Sequence, residues 1–198
     1  ERTVLRDLSF SVKEGEQVTL VGRTGAGKST VFRLLLGLYR PQAGSVTIGG
    51  VDVSAITDAE RRRCIGCVEQ HFSRVPGTVL AQITLGDPGI TREMAENAAK
   101  LAGIDAAIQT LPDGYDTVCT DGMFSQGEWQ LLSIARAAAA DPAVLLLDEI
   151  TANLDAETEV RVLEALRRAS RGRTVLSVSH RIYENLGGRT VEVKPLTA

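Results

Sequence analysis

The sequence is poor in aromatic residues and has no surplus of positive charge. Aromatic residues make up 4% of its 198 positions, and 22 lysines and arginines stand against 25 aspartates and glutamates, which leaves a net charge of -3. Nucleic-acid-binding domains normally carry a basic surplus, so the overall charge predicts no nucleic-acid partner. The dense basic run Arg61–Arg63 is short and is typical of a solvated helix end.

Long apolar runs are also missing. A membrane-spanning helix needs about eighteen or more consecutive apolar residues, whereas the mostly apolar block Leu131–Ala140 is interrupted by Ser133 and Arg136. The chain starts at Glu1 and carries no secretory leader. We therefore expect an excerpt from a longer protein, and one that does not itself span a membrane.

Cysteine is scarce as well. The three cysteines are an odd number and too few for a disulfide framework, which fits a reducing compartment and makes the cytoplasm the expected location. Cys64 and Cys67 form a C-x-x-C pair inside Arg63–Val68, a segment that we interpret as a short buried strand. Because no second cysteine pair or nearby histidine pair completes a zinc set, we expect no metal or redox role for them.

What the sequence does contain is the pattern of a globular α/β domain. The apolar run Val144–Leu147 is continuous, as expected for a strand in a parallel sheet that is covered on both faces. In the predicted helix 155–170, the side chains of Val160, Leu163 and Leu166 are expected to face inward. Strands are also predicted at 16–21, 45–48, 173–178 and 189–193, and helices at 28–38, 91–102 and 126–140.

A glycine-rich loop joins the first predicted strand to the first helix. Gly22, Gly27, Lys28 and Ser29 match G-x-x-x-x-G-K-S, a pattern whose backbone amides cradle phosphate at a helix N-terminus. Lys28 is expected to contact the β- and γ-phosphates of ATP, and the Ser29 hydroxyl to bind Mg²⁺. The residues predicted to hold ATP in this loop are Gly22, Thr24, Gly25, Ala26, Gly27, Lys28, Ser29 and Thr30.

Two acidic residues follow the apolar run at 144–147. Phosphoryl transfer needs a carboxylate near the magnesium ion and a group that orients water. Asp148 is the candidate for Mg²⁺, directly or through water, and Glu149 is the candidate that polarises the attacking water.

These residues, together with a third motif, resemble the nucleotide-binding domain of an ABC transporter over essentially the whole chain. Phe124–Gln130 resembles the family signature LSGGQ followed by a helix. The resemblance implies that Ser125 and Gly127 contact the γ-phosphate of an ATP molecule held by a partner domain. Phe124, Gln126 and Glu128 depart from the signature; we hypothesise that the site still works, with altered affinity.

Three further elements match the family in order and spacing. Gln70 resembles the glutamine of the Q-loop, which in the family reaches the metal and water and links to the transmembrane partner. Ala152–Asp155 resembles the D-loop, and His180 resembles the switch histidine near the γ-phosphate. His71 has no counterpart among the family's functional positions and is interpreted as a loop residue.

Within the family, the sequence favours an exporter. Pro76–Val79 followed by Ile83 resembles the exporter pattern, with Gln82 where asparagine is usual, and Leu111–Asp116 fits the same class. Two other readings remain open. One is a soluble ABC ATPase in DNA repair or translation, although neither a coiled-coil insertion nor a tandem cassette is seen. The other is a nucleotide kinase, which would not explain the signature.

The resemblance implies a P-loop NTPase core with a mostly parallel sheet, plus a helical subdomain that carries the signature. We expect one ABC ATPase domain over residues 1–198, with a core lobe of 1–85 and 141–198 and a helical subdomain of 86–140. It implies ATP and Mg²⁺ as cofactors, with a second ABC ATPase domain (homo- or heterodimer) and transmembrane domains as partners. The expected location is the cytoplasmic face of the cell membrane, and the adenine-stacking residue is expected to precede Glu1.

Overall fold

The secondary structure alternates strands and helices. The computed structural model describes residues 4–69, 71–148, 154–178 and 186–194. Its strands are β1 (Gln17–Val21), β2 (Thr47–Ile48), β3 (Val51–Asp52), β4 (Ile65–Val68), β5 (Val144–Asp148), β6 (Thr174–Val178) and β7 (Arg189–Glu192). Its helices are α1 (Lys28–Leu35), α2 (Asp58–Cys64), α3 (Val79–Thr84), α4 (Arg92–Ala102), α5 (Asp105–Gln109), α6 (Gln126–Ala138) and α7 (Ala156–Ser170).

Five strands form a parallel sheet in the order β4-β5-β6-β1-β7. The register aligns Asp148 at the end of β5 with Val178 at the end of β6, and Ser177 with Thr19 of β1. The hydroxyls of Thr19 and Ser177 are buried and share a hydrogen bond of 2.7 Å. The carboxyl ends of these strands therefore meet along one edge, and the predicted α/β fold with a parallel sheet is confirmed.

Helices cover both faces of this sheet. Leu146 of β5 and Leu176 of β6 pack with Val31 and Phe32 of α1 in one apolar cluster. The intervening strand residues, such as Leu145 and Leu147, point to the other face, where they pack with α6 and α7. This alternation explains why β5 has an unbroken apolar sequence, because both of its faces are buried.

Helix α6 is the centre of the second face. It packs against α3, α4, α7 and β4, and residues 131–135 of this helix are all buried. Strand β4 approaches it so closely that a Cβ atom on Gly66 would overlap the backbone carbonyl of Ala137 and lie 2.8 Å from Leu145 Cδ2. A glycine at position 66 is therefore required by packing rather than by backbone conformation.

Most predicted elements are present, with two corrections to the helices. Helix α1 ends at Leu35 instead of residue 38, because Gly37 adopts a φ of 68° and the Leu38 amide turns back to Arg33 O at 2.9 Å. Leu38 is consequently 67% exposed. In α7, Val160 is 56% exposed and Val162 is buried in its place, so the expected inward orientation of Val160 was wrong.

The basic run at the end of α2 is only partly solvated. The side chain of Arg61 is 15% exposed and its Nη2 donates to Val53 O at 3.0 Å and to Ile56 O at 2.9 Å, whereas Arg62 and Arg63 are exposed. Arg61 thus fastens the segment before α2 to that helix.

Among the described helices, none is both long and apolar enough to cross a bilayer.

The contact between β4 and α6 gives a test of the fold. Gly66→Ala is expected to lower the free energy of unfolding by about 2–3 kcal/mol, because the added methyl overfills the junction. Gly44→Ala is the control, since Gly44 has a φ of 80° with nothing within 4 Å of a built Cβ; it should cost only about 1 kcal/mol of backbone strain. Chemical denaturation measures both values, and equal losses would contradict the close packing.

Candidate functional site

The glycine loop between β1 and α1 leaves a helix N-terminus open. Gly22, Gly25 and Gly27 have φ values of 152°, 80° and 100°, a region that side chains other than glycine rarely adopt. Gly27 occupies the N-cap of α1 and has no side chain to cap the helix. The first amides of α1 and the positive end of its dipole are thus available to an anion.

Lys28 reaches back over this loop. Its Nζ donates to Gly22 O at 2.8 Å and to Arg23 O at 3.2 Å, so the ammonium lies over the loop. Ser29 and Thr30 follow in the first turn, and Thr30 N donates to Gly27 O at 3.0 Å. A phosphate held by the amides would therefore meet the lysine charge at close range.

The loop is held from both sides by chain segments that sequence reasoning missed. A Cβ on Gly27 would lie 2.6 Å from Leu5 Cδ2 and 3.2 Å from Val4 Cγ1, and a Cβ on Gly22 would overlap Val193 O. The Val193 amide donates to Val21 O at 2.8 Å. No local pattern around the loop indicates these neighbours, since they come from the two ends of the chain.

The acidic candidate Asp148 lies at the carboxyl edge of the sheet. Asp148 is the last residue of β5, and its backbone is in register with Val178. Gln70, Glu149, His180 and residues 152–153 of the D-loop match lie outside the described residues. The nearby described residues Glu69, Asp148 and Val178 follow or end parallel strands at this edge. Their roles as catalytic or metal-binding groups stay predictions.

Two of the predicted magnesium ligands, Ser29 and Asp148, lie in the described part of the chain. Ser29 and Asp148 offer the oxygen donors that Mg²⁺ prefers. No group of three or more His, Cys, Asp or Glu side chains within the described ranges could form a complete metal cage. Mg²⁺ in nucleotide sites is normally held by one or two carboxylates together with phosphate oxygens, so a protein cage is not required.

The signature segment begins α6 with a capping box. Ser125 is the N-cap; its Oγ accepts from Glu128 N at 3.2 Å, and the Glu128 carboxylate accepts from Ser125 N at 2.8 Å. The Glu128 carboxylate therefore turns back onto its own helix start. Glu128, which departs from the family signature, thus forms part of the capping box of α6.

Gly127 has a packing role beside its predicted contact with phosphate. It is buried, and a Cβ there would overlap Thr158 Cγ2 near the start of α7. The residue before α7, Asp155, caps that helix by accepting from Thr158 N at 3.0 Å. Hydrogen bonds from the Thr158 hydroxyl and amide lower the pKa of the Asp155 carboxyl. The starts of α6 and α7 are thus fixed against each other.

An aromatic group that sequence reasoning did not single out lies next to the signature. The Trp129 ring stacks on Phe72 at 5.1 Å between centroids and meets Phe124 edge-on at 5.0 Å. Arg74 lies 5.6 Å over the Trp129 ring. An open groove of about 330 Å³ is lined by His71, Phe72, Arg74, Gln126, Trp129 and Gln130.

Two other residues that the sequence singled out, Gln82 and Cys67, have surroundings that explain their roles in the fold. The Gln82 side chain is fully buried, donating to Val75 O at 2.6 Å and accepting from Val75 N at 3.0 Å. It thereby holds the turn that contains Pro76. Burial raises the pKa of the Cys67 thiol to about 12, which makes it an inert thiol at neutral pH.

The comparison with protein families decides which family the chain belongs to. The profile of the family described as "ABC transporter" matches residues 5–152, a stretch that includes the glycine loop, the signature and β5. The chain belongs to the ABC transporter family. The resemblance that the motifs indicated is confirmed.

Individual proteins that are similar to this domain are also named as ABC transporter proteins. It is 43% identical over 180 residues to the ABC transporter ATP-binding protein YfiC of Bacillus subtilis, covering 90% of this chain and 30% of that protein. It is 46% identical over 187 residues to the ABC multidrug transporter mdr4 of Aspergillus fumigatus, covering 92% of this chain and 14% of that protein. The chain thus spans less than a third of these relatives.

A solved structure shares the fold of the ABC domain. The structure of a bacterial Atm1-family ABC exporter with ATP bound matches with a TM-score of 0.83 and 35% sequence identity, over 99% of this chain and 35% of that chain. The chain is therefore similar to the ATP-binding portion of exporter-type transporters.

The capping box gives a test at the signature. Glu128→Ala removes the acceptor for Ser125 N and should lower the free energy of unfolding by about 1 kcal/mol, whereas Glu128→Gln keeps an acceptor oxygen and should cost less than about 0.5 kcal/mol. Urea denaturation of the two variants beside wild type measures this difference. If glutamine destabilises as much as alanine, the carboxylate is doing something other than capping.

Proposed function

We propose that this domain binds and hydrolyses ATP and powers an ABC exporter by closing with a second ABC ATPase domain. The observation that carries the proposal is that the chain has two helix N-termini with different caps, those of α1 and α6. Helix α1 begins at a bare glycine with Lys28 folded over the loop, and α6 begins at an exposed serine. The family membership and the exporter relatives support this use of the two elements.

The two helix starts belong to opposite faces of the sheet. Val31 and Phe32 of α1 pack with Leu146, whereas the buried residues of α6 pack with Leu145 and Leu147. We infer that one ATP molecule lies between the loop of one domain and Ser125 and Gly127 of another. This arrangement would explain why two anion-binding helix starts occur in one chain.

The chemistry assigned to the chain follows from the types of its side chains. Lys28 and the loop amides neutralise and orient the phosphates, and Ser29 with Asp148 would hold Mg²⁺, which when bound offsets charge on the phosphate oxygens. Glu149 accepts a hydrogen bond from the attacking water and so orients it, and His180 and Gln70 position the γ-phosphate and the water. An acidic side chain directly after Asp148 is suitably placed in the sequence for that task.

The proposed partners are a second ABC ATPase domain and the transmembrane domains of the transporter, which would place the chain at the cytoplasmic face of the membrane. Within the domain we propose a core lobe of residues 1–85 and 141–198 and a helical subdomain of 86–140. The groove beside Phe72 and Trp129 adjoins the Gln70 segment, the part that the family resemblance links to the transmembrane partner. A soluble role in DNA repair or translation is not favoured, because the relatives are named as transporters.

Glu149→Gln tests the assignment of the water-orienting residue. The amide keeps the shape of the side chain but is a much weaker acceptor for the water proton, so ATP binding should persist while turnover falls by about 10²-fold or more. Equilibrium binding of a fluorescent ATP analogue and phosphate release measure the two properties. Glu164→Gln, on the exposed side of α7, is the control, and equal turnover in the Glu149 variant and wild type would exclude the role.

A mixing experiment tests the shared site. Ser125→Asp keeps a good helix N-cap but places negative charge towards phosphate, and Lys28→Ala removes the cation that Gly22 and Arg23 now hold. Each variant alone should be inactive. In an equal mixture with subunit exchange, about half of the dimers contain one chain of each variant. Each such mixed dimer has one ATP site that carries both substitutions and one ATP site that carries neither. The mixture should therefore show about a quarter of wild-type activity.

The control for this mixture is the double variant carrying both substitutions in one chain, mixed with either single variant; it leaves no intact site in any pair. Phosphate release measures every combination. Absence of recovery in the mixture of single variants, while both purify as dimers, would contradict a site shared between two identical copies.

A further inference from the structure

One arginine joins the signature helix to the segment that follows Gln70. Arg136 lies in the last turn of α6. Its Nε donates to Gln82 O in α3 at 2.5 Å, and its Nη1 donates to Ser73 O at 2.9 Å. The guanidinium carbon also lies 3.9 Å from the centroid of the Phe72 ring. A single side chain therefore contacts α3 and two consecutive residues of the segment after Gln70.

The same segment is attached to the other end of α6. Phe72 stacks on Trp129 near the start of that helix, two turns before Arg136. Gln82 in turn holds both backbone groups of Val75. Residues 72–75 are thus fixed to α6 and α3 by an aromatic stack, an arginine and a buried glutamine.

The environment of Arg136 is unfavourable for a residue that serves stability alone. Burial lowers the pKa of its guanidinium to about 10, partly opposed by the negative charge of Glu69, and the side chain stays charged at neutral pH. Nη2 is buried with no hydrogen-bond partner within the described part of the chain. A partly buried cation is costly when one of its donors is buried and lacks a partner among the described residues, and apolar side chains of similar volume often replace such groups without loss.

We propose that Arg136 is a positioning residue that fixes the segment after Gln70 to the signature helix, so that residues 72–75 keep a constant position relative to Ser125 during ATP turnover. This role rests on the proposed function. Arginine is suited to it because its planar fork serves two carbonyl groups at once while its face covers an aromatic ring. Lysine has the same charge but presents a compact ammonium, which cannot do both.

The test compares Arg136→Lys with Arg168→Lys in the purified protein. Arg168 is the matched control, since it is also partly buried and its Nε donates to a backbone carbonyl, Leu101 O, at 2.7 Å, but it joins α7 to α4. Arg136→Lys should lower kcat by about tenfold or more with KM within about twofold, because misplaced groups slow the reaction without removing the ATP-binding loop. Arg168→Lys should leave kcat within about twofold of wild type.

Trp129 provides a readout that does not depend on hydrolysis. It is the single tryptophan of the sequence and stacks on the segment that Arg136 holds. Acrylamide quenching of its fluorescence should increase in Arg136→Lys and stay unchanged in Arg168→Lys. If Arg136→Lys does not fold, Phe72→Leu is the second test of the positioning role. It removes the aromatic ring that Arg136 covers but keeps the carbonyl groups of Ser73 and Gln82 to which Arg136 donates. It should lower kcat by about threefold.

The outcomes separate this role from the proposed function. A folded Arg136→Lys protein with wild-type kcat would contradict the positioning role alone, as would equal losses of kcat in the two lysine variants. A wild-type protein that binds ATP without turning it over would contradict the proposed function, and the positioning role with it.

Discussion

The register of the parallel sheet is the constraint on which the rest of the molecule depends. Ser177 lies opposite Thr19 on one side and opposite Leu147 on the other, so β1, β6 and β5 end within a residue or two of one another. The glycine loop leaves β1 and Asp148 ends β5 at this same edge, although more than a hundred residues separate them in the chain. A shift of β5 by one residue would bring its alternate side chains to the wrong face and move the carboxylate away.

Local signals explain why much of this could be predicted from the sequence. Thr91 caps α4 and Gly103 ends it, which agrees with the predicted bounds of 91–102, because caps act within a few residues. The glycine loop was recognised because strand, glycines, lysine and helix are consecutive. The family resemblance added the signature, whose Ser125 is the N-cap of α6, although its contact with phosphate stays a prediction.

The features that could not be predicted are long-range contacts of polar side chains. Arg136 bonds to residues 54 and 63 positions away, and nothing in the surrounding hydrophobic pattern indicates which carbonyl groups it meets. The error at Val160 has a related cause. Helical periodicity allows several apolar stripes on α7, and the choice of Val162 is made by packing in the cluster that α6 dominates.

The capping box also leaves Ser125 able to serve both its own helix and the proposed contact with phosphate. Its Oγ uses a lone pair to accept from Glu128 N, which leaves the hydroxyl proton free to be donated outward. The Glu128 carboxylate occupies the Ser125 amide, whereas the amides of Gln126 and Gly127 have no partner in the described part of the chain. Two amides and one hydroxyl proton therefore remain at the positive end of α6. The Glu128 carboxylate, which occupies the Ser125 amide, therefore does not use the amides that the proposed contact with phosphate would need.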